Sequence, residues 1–210
     1  MNEQQEIKFP SPEKNKSVAA AWFEYVEMFV FAAIFVILLM TFALRLCVVS
    51  GPSMNNTLQD GERLVVSDFF YSPKQGDIIV FHQTSEVDDR FNEPIVKRVI
   101  AVGGQYVKID YQANKVYVSD DETFAENEVL DESDYAYFAN PTGAWKETLY
   151  VSDSYSAVYQ VPEGYLFVLG DNRNVSADSR DYRVGFVDER RVLGKVLFRL
   201  TPFSAFGKVD

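Results

Sequence analysis

From Met28 to Leu44 the chain reads MFVFAAIFVILLMTFAL, an apolar run with no charge. As a helix, that run covers about 25 Å at 1.5 Å per residue, slightly less than the roughly 30 Å hydrocarbon core of a bilayer. Leu46, Cys47, Val48 and Val49 lengthen it beyond Arg45, and Trp22, Phe23, Tyr25 and Val26 lengthen it at the front. Aromatic rings suit the membrane interface, and an arginine stem can stay apolar while its charge bends toward the headgroups. The pattern predicts one transmembrane helix over residues 22–46. A cleaved signal peptide has a shorter apolar region followed by a small-residue cleavage site. A soluble core helix would show a polar face. Neither feature is present.

After residue 50 the pattern changes to short apolar runs between turn signals. RLVVS (63–67), DIIVFH (77–82), IVKRVIAV (95–102), YVKID (106–110), KVYVS (115–119), YSAVYQV (155–161), YLFVLG (165–170) and KVLFRL (195–200) are rich in β-branched and aromatic residues and predict strands. Glycines at 61, 76, 103, 104, 164 and 185 punctuate them. A helix is suggested only over Glu126 to Tyr137. Many short strands at this spacing predict a mainly β domain, a barrel or sandwich. The stretch 111–155 differs. It contains DDETFAENEVLDESD, then aromatics and a Pro-Thr-Gly turn, and reads as a small inserted subdomain with a solvated acidic face. The expected organisation is a tail over 1–21, the helix over 22–46, a β domain over 47–110 and 156–210, and the insertion over 111–155.

The formal net charge of -11 argues against a nucleic-acid binder, which needs clustered Lys and Arg. With one cysteine, Cys47, and one histidine, His82, the chain cannot form an internal disulfide, a cysteine-based zinc site or a multi-histidine metal site. Lys8, Lys14 and Lys16 precede the helix and Arg45 follows it. That bias places the N-terminus inside and the large C-terminal part outside.

The candidate chemistry starts at Ser53, in LCVVSGPSMNNTL, a few residues past the apolar run. A serine hydroxyl is a weak nucleophile and needs a base. His82 could serve in a Ser-His-Asp triad, yet it ends a strand where a surface residue is as natural. Lys97 and Arg98 offer an alternative, because two cations inside IVKRVI are costly unless each has a reason. Arginine stays charged and needs an acidic partner. Lysine can be buried neutral, since burial can lower its pKa to about 5–6. The loop GDNRNVSADSRDYRVGFV, residues 170–187, suits a hydrogen-bonded network around a buried site. It makes a poor calcium loop, because Arg173 stands where an oxygen ligand belongs.

VSGPSM with Thr57-Leu58, GDIIVF (76–81), VKRVIAVGG (96–104) and GDNR..SADSR (170–180) follow one another behind a single anchor. In these stretches the chain resembles the type I signal peptidases, membrane-anchored Ser-Lys enzymes, and in particular their Gram-positive bacterial branch. The resemblance implies Ser53 as nucleophile, Lys97 as general base and Ser176 as the hydroxyl orienting the lysine. It implies Asp178 and Arg180 as a supporting pair, Arg98 and Asp171 as an ion pair, and Met54 beside the substrate groove and bilayer surface. The Ser53 backbone N–H is the implied oxyanion donor, and Gly51 leaves the second donor unassigned. Asn56 stands where the family usually has proline, and Asn174-Val175 replace a usual Asp-Asn pair. The implied activity is cleavage of Ala-x-Ala type signal peptides from preproteins, by a monomer at the bilayer surface, without cofactor, metal or nucleic acid. The implied location is the cell membrane, single-pass, with the catalytic domain outside the cytoplasm. Alternatives are a self-cleaving repressor-type Ser-Lys peptidase, which would carry a DNA-binding domain, a non-catalytic assembly chaperone, and a peptidase dedicated to a few substrates such as pilins.

Overall fold

The computed structural model describes residues 18–83, 93–125, 128–138 and 156–209. The tail up to residue 17, and residues 139–155 with the Pro-Thr-Gly turn, lie outside them. The chain divides into two compact units, Met1–Thr41 and Phe42–Asp210.

The first unit is the helix α1, Val18–Phe42. Its 25 residues extend about 37 Å. The window Ala21–Leu39 is long and apolar enough to cross a membrane, and none of it is buried. Trp22, Phe29 and Phe35 stand exposed along it.

The helix does not reach Leu46. Residues Arg45–Val48 form strand β1, paired antiparallel with Arg63–Val66 from Arg45↔Val66 to Val48↔Arg63. Ser67 Oγ donates to the Ala43 carbonyl at 2.7 Å, which ties the chain down just past the helix. Arg45 pairs its charge with Asp68 at 3.1 Å. The apolar run is therefore two elements. Its last residues satisfy their backbone groups by pairing with a distant strand.

The strands that follow are β2 (Arg63–Ser67), β3 (Ile78–His82), β4 (Pro94–Val102), β5 (Tyr106–Asp110), β6 (Lys115–Ser119), β7 (Ser156–Gln160), β8 (Tyr165–Leu169), β9 (Val187–Asp188), β10 (Val192–Thr201) and β11 (Gly207–Lys208). The chain is mainly β, as the alternating runs predict. One antiparallel sheet has the order β1-β2-β10-β3-β4-β8-β9, with β11 added to β10. A second has the order β6-β5-β7. The two share a core in which Ile100, Ala101, Phe167 and Leu169 of the large sheet meet Val107, Ile109 and Val116 of the small one. Alternation along β3 serves both faces of the large sheet. Ile78 and Val80 enter a core with Leu64, Val66 and Val196, while Ile79 and Phe81 enter one with Val99, Leu166 and Val168.

The small sheet begins before residue 111 and ends after residue 155, because β5 is its central strand. The expected helix over Glu126 to Tyr137 is absent from its described part. Residues 128–138 form turns and two isolated bridges, Tyr117↔Val129 and Tyr137↔Asn172. The acidic face is only partly solvated: Asp121, Glu122, Asp131 and Asp134 are exposed, but Glu132 is buried.

Candidate active site

Ser53 sits in the turn that follows β1. Gly51 opens this turn at φ 84, a left-handed conformation that suits glycine. Its N–H donates to Asp60 Oδ1 at 2.7 Å. Asn55 N–H returns to the Pro52 carbonyl at 3.1 Å, and Leu58 N–H to the Met54 carbonyl at 2.8 Å. Met54 and Leu58 are fully buried in the core with Leu64 and Val66, so the turn is pinned by two apolar plugs and presents Ser53 between them and the loop 170–180. The Met54 side chain belongs to the core and is not among the residues lining the cleft beside Ser53.

Lys97 lies on β4, opposite Ile79 of β3, and is 3% exposed. Its Nζ donates to Ser53 Oγ at 2.9 Å and to the Val96 carbonyl at 2.8 Å. Burial pushes the amine from 10.5 down to about 8; Asp178 and Asp171 pull it back up, and Arg180 pushes it further down. Arg180 is thus a cation that assists burial in lowering the amine. Arg98 has its own partner. Its Nε and NH2 donate to the Asp171 carboxylate at 2.9 and 2.8 Å, and NH1 donates to the Gly76 carbonyl at 2.9 Å. Both members of that pair are buried, so removing either would strand a charge. Thr57 Oγ1 also donates to Asp171, which joins the Ser53 turn, β4 and the loop at one carboxylate.

The loop grips the Ser53 turn through its backbone. Asn172 N–H donates to the Ser53 carbonyl at 3.0 Å, and its side-chain amide donates to the Pro52 carbonyl at 3.1 Å. Asp178 accepts from the Gly170 N–H at 3.0 Å and from Arg180 Nε at 2.7 Å. Burial works to raise its carboxyl pKa, but Arg180, the Gly170 amide and the Ser176 hydroxyl outweigh that and hold it below the ordinary value. The Ser176 hydroxyl is buried and does not bond Lys97, whose amine turns to Ser53 and Val96. It packs instead against Gly170, where an added Cβ would meet Ser176 Oγ at 2.2 Å and the Ser53 carbonyl oxygen at 2.6 Å.

Ser53 and Lys97 share a cleft of about 160 Å³. Cys47 and Val48 of β1, Pro94, Ile95 and Val96 of β4, and Leu64 and Val80 also line it. β1 ends the large sheet, and β8 pairs with β4 only from Arg98 onward, so two strand edges flank the cleft. Burial pushes the Cys47 thiol up, which suits a passive residue. His82 ends β3 opposite Pro94 and is not among the lining residues.

Local pattern assigns no role to Asn172, Thr57 or Gly170, because what they do depends on contacts between the loop at 170–180 and the turn at 51–58, more than a hundred residues earlier.

Residues 22–201 match the family described as signal peptidase, peptidase S26. Signal peptidase IB of Staphylococcus aureus is 37% identical over 166 residues, 75% of this chain and 78% of its own length. Probable signal peptidase I-1 of Synechocystis is 31% identical over 205 residues, 93% of this chain and 92% of its own. A crystal structure of a signal peptidase I from Enterococcus faecalis V583 aligns with 60% of this chain and 97% of its own, at 28% identity and a TM-score of 0.39. With the family match spanning the helix and nearly all of the β-rich unit, the chain belongs to the signal peptidases of peptidase family S26.

Proposed function

We propose that the chain is a membrane-anchored serine endopeptidase that cleaves N-terminal signal peptides from exported preproteins with a Ser53–Lys97 dyad. The observation that carries this reading is the direct 2.9 Å bond between a buried amine and the Ser53 hydroxyl. At a pKa of about 8, about 9% of the amine is neutral at pH 7, against about 3 in 10,000 at the ordinary value. A neutral Lys97 takes the proton as Ser53 Oγ attacks the scissile carbonyl, then returns it to the leaving amine. Water hydrolyses the acyl-enzyme by the same route. The Ser53 N–H is aimed at the developing oxyanion. Gly51 cannot supply a second donor while its N–H is held by Asp60.

Two features support the substrate class. The cleft is smaller than the roughly 300–1,000 Å³ of drug-sized ligand sites and is flanked by strand edges, which suits an extended peptide with small side chains such as Ala-x-Ala. The exposed apolar helix α1 would hold the site at the surface where signal peptides themselves are embedded, raising their effective concentration. The lysine bias places the β-rich unit on the outer side.

The test uses the full chain in detergent micelles with a preprotein carrying an Ala-x-Ala site. The parent releases a mature N-terminus, identified by sequencing, and Ser53→Ala releases none. Cleavage by Ser53→Ala at the parental rate would refute the reading. The pH dependence has a definite sign. The active form is the deprotonated amine, so kcat/KM rises about tenfold per pH unit below pH 8 and levels off above it. A profile flat from pH 6 to pH 10 would remove Lys97 as the titrating base.

A further inference from the structure

Glu132 belongs to the acidic run of the insertion, yet its side chain is buried against the loop that holds Ser53. Its carboxylate accepts from Arg173 NH1 at 2.7 Å and NH2 at 2.6 Å. Arg173 Nε donates to the Gly170 carbonyl at 3.0 Å. Three residues on, the Tyr135 ring lies 4.0 Å from the Arg98 guanidinium and 5.9 Å from that of Arg173. Tyr137 then pairs with the loop through its backbone. Its N–H donates to the Asp171 carbonyl at 2.7 Å, and its carbonyl accepts from the Arg173 N–H at 3.0 Å.

These contacts converge on one place. Asp171 and Arg173 flank Asn172, and Asn172 is the residue that bonds the carbonyls of Pro52 and Ser53. Arg98 is the chain neighbour of Lys97. The segment therefore bears on both halves of the dyad while staying out of the cleft, since Glu132, Tyr135 and Tyr137 are not among its lining residues.

We infer that residues 132–137 form a strap that positions the nucleophile, with Glu132 as a positioning residue acting on Ser53 through Arg173 and Asn172. This inference rests on the proposed Ser53–Lys97 chemistry. A buried ion pair is a weak source of net stability and a strong source of fixed geometry when both partners are fully bonded. Here the geometry it fixes is that of Gly170 to Arg173. Released from Glu132, this stretch loses its ion pair to the insertion, and the Asn172 grip on the Ser53 carbonyl slackens. A misplacement of about 1 Å at a reacting atom costs on the order of a hundredfold in rate. Water reaching the amine would also relieve the desolvation that holds Lys97 low, while the charges facing it, Asp178, Asp171 and Arg180, remain.

The experiment compares the full chain in detergent micelles with Glu132→Gln and with the double variant Glu132→Met, Arg173→Met. The double variant removes both buried charges together and keeps the fold available if the single change does not. Two readouts are taken at a temperature where each variant is folded: kcat and KM for a preprotein, and the titration midpoint of Lys97 Nζ by NMR. The expected result is a kcat at least tenfold lower, a KM within threefold, and a Lys97 midpoint moved upward. A purely structural strap would lower the melting temperature and leave kcat and the midpoint at parental values, which would overturn the inference. A raised KM with unchanged kcat would overturn it too, by placing Glu132 in substrate binding. If the parent cleaves nothing, the proposed function fails. The midpoint still decides the strap, because it needs no substrate.

Discussion

Lys97→Met is expected to abolish cleavage, with kcat/KM down by a factor of at least about a thousand, and to leave a protein more stable than its parent at pH 7. The activity loss follows from removing the only base in contact with Ser53 among the described residues. The stability gain follows from the same burial that tunes the amine. The pKa of Lys97 in the folded chain, about 8, lies below its unfolded value near 10.5. Between those two pH values the unfolded chain binds the extra proton, so stability rises with pH across that window. At pH 7 the folded protein carries nearly the whole penalty, on the order of 3 kcal/mol at 1.36 kcal/mol per pKa unit. Methionine removes it, at the loss of two hydrogen bonds worth about 1 kcal/mol each. Denaturant unfolding of the two proteins should show a net gain of about 1–2 kcal/mol for the variant at pH 7, shrinking toward pH 10. A variant less stable at every pH would mean that the buried amine carries no such penalty.

Gly170→Ala is expected to reduce cleavage by about a hundredfold and to destabilise the chain by about 1–3 kcal/mol. Every part of this residue is in use. Its N–H donates to Asp178, its carbonyl accepts from Arg173, and its open face lies between the Ser176 side chain and the Ser53 carbonyl. An added methyl at 2.2–2.6 Å from those atoms has nowhere to go unless the nucleophile turn and the loop part. Moving them apart breaks the Asn172 bonds that set the Ser53 backbone. Measured kcat and the denaturation midpoint should fall together. Parental kcat in Gly170→Ala would show that the turn and the loop tolerate separation.

The parts of this structure that depend on local pattern could be read from the chain. Short continuous apolar runs between turn signals mark β3, β4 and β8, because each is buried on both faces or nearly so. The long uncharged run marked a helix, because no polar face interrupts it. Two cations inside a strand marked Lys97 and Arg98, because such charges are too costly to be incidental. What escaped was set by distant partners. Leu46 and Val48 are apolar whether in a helix or a strand, and only the pairing with β2 makes them a strand. Glu132 sits among carboxylates that do face water, and its pairing with Arg173, 41 residues away, takes it out of solvent. The sequence alone could not show that Met54 turns inward while Ser53, its neighbour, turns to the cleft. That division depends on the core formed by Leu64, Val66 and Val196. The Ser176 role is implied by resemblance, and here that side chain packs against Gly170 without bonding the amine.

The account stands on a lysine amine that is buried, bonded to one hydroxyl and easily deprotonated. Nitrogen-15 NMR of the full chain, labelled on lysine and held in detergent micelles, reads that amine directly, with Lys97→Met identifying its resonance. A midpoint near pH 8, coinciding with the rise of kcat/KM, is the predicted result. A midpoint at or above pH 10 in a protein that still cleaves its preprotein at pH 7 would contradict it.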